Sequence, residues 1–249
     1  TFSAWFYKPI THLGVQFNFG HREILIACNG LDPKTVFLAG IQHGWTMNHS
    51  HLPIYRNKIF VKYPDLVWSK RIADELKTKN RNSIAIGAPW SHLLKSLNHQ
   101  IDFSFETTSF GNTKVLYMPR HSIPGGTVEH NGNIVELVSR FGRENITVCL
   151  FWLDFVDPLI ISYYKQFSDN IICVGYKGGA AVDIPWTPVG GRVSHLLNLY
   201  IAMNSNDLIA MDEVSTPFFY ALSLGKDVFL TSDRNGYTSW FEENSGQVS

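Results

Sequence analysis

Four short polar clusters in this chain each follow an apolar run. That is where a parallel sheet presents its ligand-facing ends. The sharpest is Asp212-Glu213-Val214-Ser215-Thr216-Pro217, between DLIAM and PFFYALSLG. Thr216 reads as a helix N-cap and Pro217 as the first helical residue, which leaves the amides of Phe218 and Phe219 as free donors. A helix start with the hydroxyls of Ser215 and Thr216 beside it can hold a phosphate without net positive charge. Glu213 is placed to accept hydrogen bonds from ribose hydroxyls. Ser and Thr also cap many helices with no ligand at all; the position at a strand end is what favours binding here.

The other three clusters supply different chemistry. Gln42-His43-Gly44-Trp45 follows TVFLA, and a neutral His43 beside a glycine can act as a general base toward a hydroxyl. Met118-Pro119-Arg120-His121-Ser122 follows KVLYMP; Arg120 can pair with a phosphate while His121 and Ser122 donate to it. Gly175-Tyr176-Lys177-Gly178-Gly179 ends another run, with Tyr176 placed to stack on a base and Lys177 to approach phosphate. His43 and His121 are thus the candidate catalytic groups. Arg120, Ser122, Tyr176, Lys177, Glu213, Ser215 and Thr216 are the candidate donor-binding groups. No GxGxxG, GxxxxGK[ST] or GxSxG pattern occurs, which argues against dinucleotide, P-loop and hydrolase-elbow sites. His49 and His51 have no carboxylate beside them, so no metal site is expected.

The elements that must position these clusters alternate. In the second half, apolar runs at Lys114–Pro119, Asn145–Trp152, Asn170–Gly175, Asp207–Met211 and Asp227–Leu230 read as strands. Helical spacing at Asn133–Phe141, Pro158–Phe167, Val193–Met203 and Pro217–Leu224 separates them. Strands alternating with helices of about ten residues imply a parallel sheet covered on both faces. The first half follows the same grammar less completely. Strands are expected at Glu23–Cys28, Thr35–Ala39, Lys58–Val61 and Ser83–Ile86, and a helix at Ser69–Lys77. The polar stretch Lys95–Thr113 has no clear period, and a linker near residues 97–112 is expected to divide a first α/β domain, 1–100, from a second, 112–249.

Composition excludes several classes. Apolar residues at 45% against 17% charged fit a packed globular chain rather than a disordered one. With 21 basic and 21 acidic residues, no global field argues for nucleic acid or an anionic membrane, so an anionic ligand must be held by a few aimed groups. The three cysteines, Cys28, Cys149 and Cys173, show no metal-ligand spacing and read as core thiols of a reducing compartment. No run reaches the roughly 18 apolar residues of a membrane span. The chain opens on Thr1 without a signal-peptide layout and is expected to begin inside a longer one.

Taken in order, IQHGW, DLVWSKR, IGAP, YMPRHS and DLIAMDEVSTPFFYALSLGKDVFL resemble the two-domain B-type glycosyltransferase fold. The likeness is to bacterial surface-polysaccharide enzymes: capsule-type sialyl- or Kdo-transferases and CDP-glycerol glycerophosphotransferases. It implies two Rossmann-like domains facing across a cleft. The donor phosphate would be held at Ser215 and Thr216 in the C-terminal domain, with Glu213 nearby and His43 toward the acceptor. It implies a metal-independent transfer with no cofactor beyond the nucleotide-sugar donor, CMP- or CDP-linked. The acceptor would be a glycan or lipid-linked glycan, and the location cytoplasmic, at the inner face of the membrane where the acceptor is lipid-linked. The opening strands and the last crossing helix of that fold are not evident in this sequence. Transfer of a polyol phosphate, a non-catalytic nucleotide- or sugar-binding role and nucleotide-sugar epimerisation are the other readings this architecture admits.

Overall fold

A computed structural model of the chain describes residues 19–32, 34–35, 37–42, 44–45, 63–100, 113–121, 130, 132–175 and 194–231. It is an α/β protein with two parallel sheets. The chain divides into two compact units, Thr1–Thr108 with Val174–Ile201, and Ser109–Cys173 with Ala202–Ser249. The segment Val174–Ile201 goes with the first unit, whereas the sequence left it in the second domain.

In the first unit, β1 (Gly40–Ile41), β2 (Asp65–Val67) and β3 (Ser83–Ala85) pair in parallel in that order. Helix α2 (Lys70–Thr78) joins the last two. Ser69 caps it by accepting from the amide of Ile72, and Ala73 and Leu76 pack on Val67. Two expectations fail here. Glu23–Cys28 is not a strand but part of α1 (His21–Cys28), whose Ile24, Leu25 and Ile26 are buried. A six-residue apolar run has no period of its own and reads equally as a buried helix face. The strand expected at Thr35–Ala39 is found instead directly after that range and spans only Gly40–Ile41. Helix α3 (Pro89–Gln100) was not foreseen and runs into the stretch expected as linker. Pro89 has the fixed φ that suits a first helical position, and Trp90 and Leu93 are buried. The strand expected at Lys58–Val61 lies outside the described residues.

The second unit follows the sequence closely. Strands β4 (Val115–Met118), β5 (Ile146–Leu150), β6 (Asn170–Cys173), β7 (Leu208–Met211) and β8 (Asp227–Leu230) form one parallel sheet in the order β6-β5-β4-β7-β8. Between them in the sequence run α4 (Asn133–Phe141), the short α5 (Trp152–Phe155), α6 (Pro158–Lys165), α7 (Ser194–Asn204) and α8 (Thr216–Ser223), of which α7 belongs through Ile201 to the first unit. Val115, Leu116 and Tyr117 are consecutive and all buried, so both faces of β4 are covered. One core joins Val115 and Tyr117 of β4, Ile134 and Leu137 of α4, Tyr164 of α6 and Ala210 of β7. Ile134 and Leu137 stand three apart, the spacing that puts two side chains on one helix face.

Candidate functional site

The chain enters the second sheet at its centre. From β4 it moves outward to β5 and β6, then crosses back to the other side of β4 for β7 and β8. The strand order therefore reverses between β4 and β7, and open α/β sheets bind ligands at that point, outside the carboxyl ends of the strands. Met118 of β4 is level with Met211 of β7. The turns beginning at Pro119 and Asp212 thus leave the same edge of the sheet, side by side. They carry two of the four clusters singled out from sequence.

One side chain organises this edge. The Asp212 carboxylate accepts from the Tyr117 hydroxyl at 2.8 and 3.0 Å, the Arg120 amide at 2.9 Å, Asn133 Nδ2 at 3.1 Å and Thr231 Oγ1 at 2.5 Å. A single group thereby ties the end of β7 to the ends of β4 and β8 and to the start of α4. Only a carboxylate offers so many acceptor sites in so small a volume. Burial is the first cause that raises the Tyr117 phenol far above its ordinary pKa, and the Asp212 charge is the second. Tyr117 therefore stays a donor throughout the working pH range. Sequence reasoning had Asp212 in its motif without assigning it a role. The carboxylate right after a buried strand was the signal, but its partners lie 79 and more residues away, except Thr231.

A second polar layer lies beside it. His130 Nδ1 is 2.8 Å from the Tyr164 hydroxyl, and Nε2 is 3.8 Å from Asp154 Oδ1. The Tyr164 hydroxyl is held protonated, chiefly by burial and then by Asp212. None of these three residues was foreseen, because nothing in their sequence neighbourhoods distinguishes them from core.

The candidate donor-binding residues are partly brought together. Arg120 Nε lies 3.1 Å from Glu213 Oε2, with the two side chains 39% and 35% exposed. Glu213 thus holds Arg120 rather than standing free for a ribose, and an anion at Arg120 must displace it. His121 is exposed and stacks on Phe151 at the end of β5, with ring centroids 4.3 Å apart. Ser215, not Thr216, is the N-cap of α8, one residue earlier than expected. Its side chain makes no capping hydrogen bond, so its hydroxyl remains available. The Phe218 amide, expected to be a free donor, donates to the Ser215 carbonyl at 3.0 Å. The first turn tightens in the i→i+3 manner common at helix ends, and this removes a donor from the anticipated anion site. His43, Ser122, Tyr176 and Lys177 lie outside the described residues.

In the first unit the loop after β1 is fixed by Gln42, which is buried. Its Oε1 accepts from the Trp68 amide at 2.9 Å, and its Nε2 donates to the Gly44 carbonyl at 2.9 Å. The Trp68 indole donates to the Gln42 carbonyl, also at 2.9 Å. Trp68 is half-buried and acts as a clamp on this loop. The turn after β3 passes through Gly87 at φ 81°, and the ring of His92 lies 2.7 Å from the Ile86 carbonyl there.

Among the described residues no group of three or more His, Cys, Asp or Glu side chains is placed to hold a metal. Among them, too, no helix is long and apolar enough to cross a membrane. Cys28, Cys149 and Cys173 are not joined in disulfides. No protein-family model matches the chain, and neither a curated protein nor a solved structure is similar enough to count as a match.

Proposed function

We propose that the chain is a glycosyltransferase of the two-domain B type. It would move a sugar from a CMP- or CDP-linked donor to a hydroxyl of a glycan or lipid-linked glycan acceptor. The observation that supports this reading is the Arg120–Glu213 pair, carried on the two turns that leave the sheet where its strand order reverses, with His121 and Ser215 on the same turns. A donor phosphate at this edge would take Arg120 from Glu213 and a hydrogen bond from the Ser215 hydroxyl. His121, stacked on Phe151, would stand over it. Charge developing on a leaving phosphate is stabilised best by donors already in place, and the Asp212 bonds hold the β4 turn in position before any ligand arrives. His43 belongs to the acceptor side in this reading.

The test is incubation with CMP-, CDP-, UDP- and GDP-linked sugars, following nucleotide release by chromatography. The expected result is release from a pyrimidine-linked donor, lowered at least tenfold by Arg120→Ala. Nucleotide binding with no release from any donor would instead make the chain a non-catalytic binding protein, and a new sugar epimer without release would make it an epimerase.

A further inference from the structure

A buried histidine stands behind the sheet edge where we put the phosphate, and both lie in the second unit. His130 Nδ1 is 2.8 Å from the Tyr164 hydroxyl. Its Nε2 faces Asp154 Oδ1 at 3.8 Å, beyond hydrogen-bond reach, and has no hydrogen-bond partner. The two side chains are 9% and 1% exposed. A lone pair on Nε2 would face the carboxylate, so a ring proton sits there, and Nδ1 is the nitrogen that gains or loses one. The Tyr164 phenol stays protonated, and a phenol has a single proton to give. Beside neutral His130 it gives that proton to Nδ1. Beside an imidazolium, both of whose nitrogens donate, the Tyr164 oxygen must accept, and its proton turns to the other side. There lies Tyr117, whose ring meets that of Tyr164 edge-on with centroids 6.3 Å apart. The Tyr117 hydroxyl interacts with that of Tyr164 and donates in turn to Asp212, at 2.8 and 3.0 Å.

We infer that His130 is a positioning residue for the phosphate-binding edge: a proton on it, relayed by the Tyr164 and Tyr117 hydroxyls, draws the Asp212 charge inward and favours an anion at Arg120. This rests on the transferase reading above. Hydrogen bonds in a chain polarise one another, so a donor turned toward the Tyr117 oxygen strengthens the bond from Tyr117 to Asp212. The same carboxylate holds the Arg120 amide at 2.9 Å, and its charge is felt at the Tyr164 hydroxyl. The groups along this path are Asp154 of α5, Tyr163 and Tyr164 of α6, Tyr117 of β4 and Asp212 beyond β7. None of them is a base that can become a cation. Arg120 is held by Glu213, and His121 lies at the surface on Phe151. Binding therefore takes up a proton from solvent at His130 Nδ1, and release of the anion returns it. By reciprocity, a bound donor retains that proton by the same factor as the proton tightens the donor.

Two measurements test this, both with the nucleotide-linked sugars named above, whose phosphates keep a constant charge over the range used. Imidazole 15N spectra of the whole chain at pH 7 should show His130 Nε2 carrying a proton throughout, and a protonated share at Nδ1 that rises when the donor binds. A bare Nε2, or donor binding that leaves the His130 signals unmoved, overturns the inference. Calorimetric titration between pH 5.5 and 8.5 should show donor affinity falling at least about fivefold as pH rises. His130→Gln and Tyr164→Phe should each remove that slope, while His121→Ala, which lacks the other imidazole of this edge, should keep it. A slope that follows His121 instead, or an affinity lowered equally at every pH by His130→Gln, overturns the inference and leaves the transferase reading standing. No binding of any of these donors defeats both.

Discussion

Gln42 and Asp212 do the same work in the two units with opposite chemistry. Each follows a strand of a parallel sheet, and each ties its own loop to the loop of a neighbouring strand. Gln42 is an amide that accepts from Trp68 and donates to Gly44, so both its ends are matched and it carries no charge. Asp212 is a carboxylate that only accepts, and it gathers four donor groups from β4, α4 and the end of β8. The amide fixes one loop against one strand end. The carboxylate fixes a whole sheet edge, but it sets a negative charge beside the place where we put a phosphate. The Arg120–Glu213 pair next to it is internally neutral. Anion binding there depends on uncoupling that pair, not on surplus positive charge.

Removing each hub should expose this difference. Asp212→Ala leaves the Tyr117 hydroxyl, the Arg120 amide and Asn133 Nδ2 without this acceptor, with Thr231 Oγ1 still 3.3 Å from the Met211 carbonyl, and is expected to cost about 3–5 kcal/mol, because unsatisfied polar groups near a core cost about 1–3 kcal/mol each and relax in part. Urea unfolding measures it; a cost below about 1 kcal/mol would mean that solvent replaces the carboxylate. His195 gives the next effect, confined to acid. Its pKa is lowered in the fold to about 4 from 6.5. Between those values the unfolded chain binds more protons, so stability falls as pH drops through that window and is recovered above it. The difference amounts to at most about 3 kcal/mol at pH 4. His195→Gln should flatten the wild-type loss of stability between pH 6.5 and 4 by that amount and leave pH 8 little affected.

Gln42→Leu should cost about 2 kcal/mol by leaving the Trp68 amide and the Gly44 carbonyl unpaired. Tryptophan fluorescence in a denaturant titration reads it, and an unchanged midpoint would show that the loop does not need its clamp. The smallest expected effect is the most telling for function. Replacing a capping serine with alanine usually costs about 0.5–2 kcal/mol. Because the Ser215 hydroxyl caps nothing, Ser215→Ala should change stability by less than about 0.5 kcal/mol. The same substitution should still weaken nucleotide binding. A loss of stability without a loss of binding would return Ser215 to the status of an ordinary cap.

The second unit was legible because its strands are continuous apolar runs of four to five residues set off by helices with their own period. In the first, HREILIAC carries no such contrast, and its helical state is decided by packing and by Asn29, which donates to the Leu25 carbonyl at 2.7 Å. The site divides in the same way. A hydroxyl-rich turn after a strand is a local signal, and DEVSTP was found by it. That the Phe218 amide turns back onto Ser215 is a matter of one residue's helix register, which sequence does not resolve. Asp212 draws its role from partners distant in the chain, so residue type alone did not mark it.

The central claim is that a phosphate-bearing nucleotide binds where the order of the five-stranded sheet reverses. Titrating CDP and CMP into 15N-labelled protein, with the backbone amides assigned, tests it directly. The account predicts that the largest shifts fall on Met118–His121 and Asp212–Phe219, with the opposite strand ends around Lys114, Asp207 and Lys226 unmoved, and that Arg120→Ala abolishes them. Shifts centred on those opposite ends, or none at millimolar nucleotide, would contradict it.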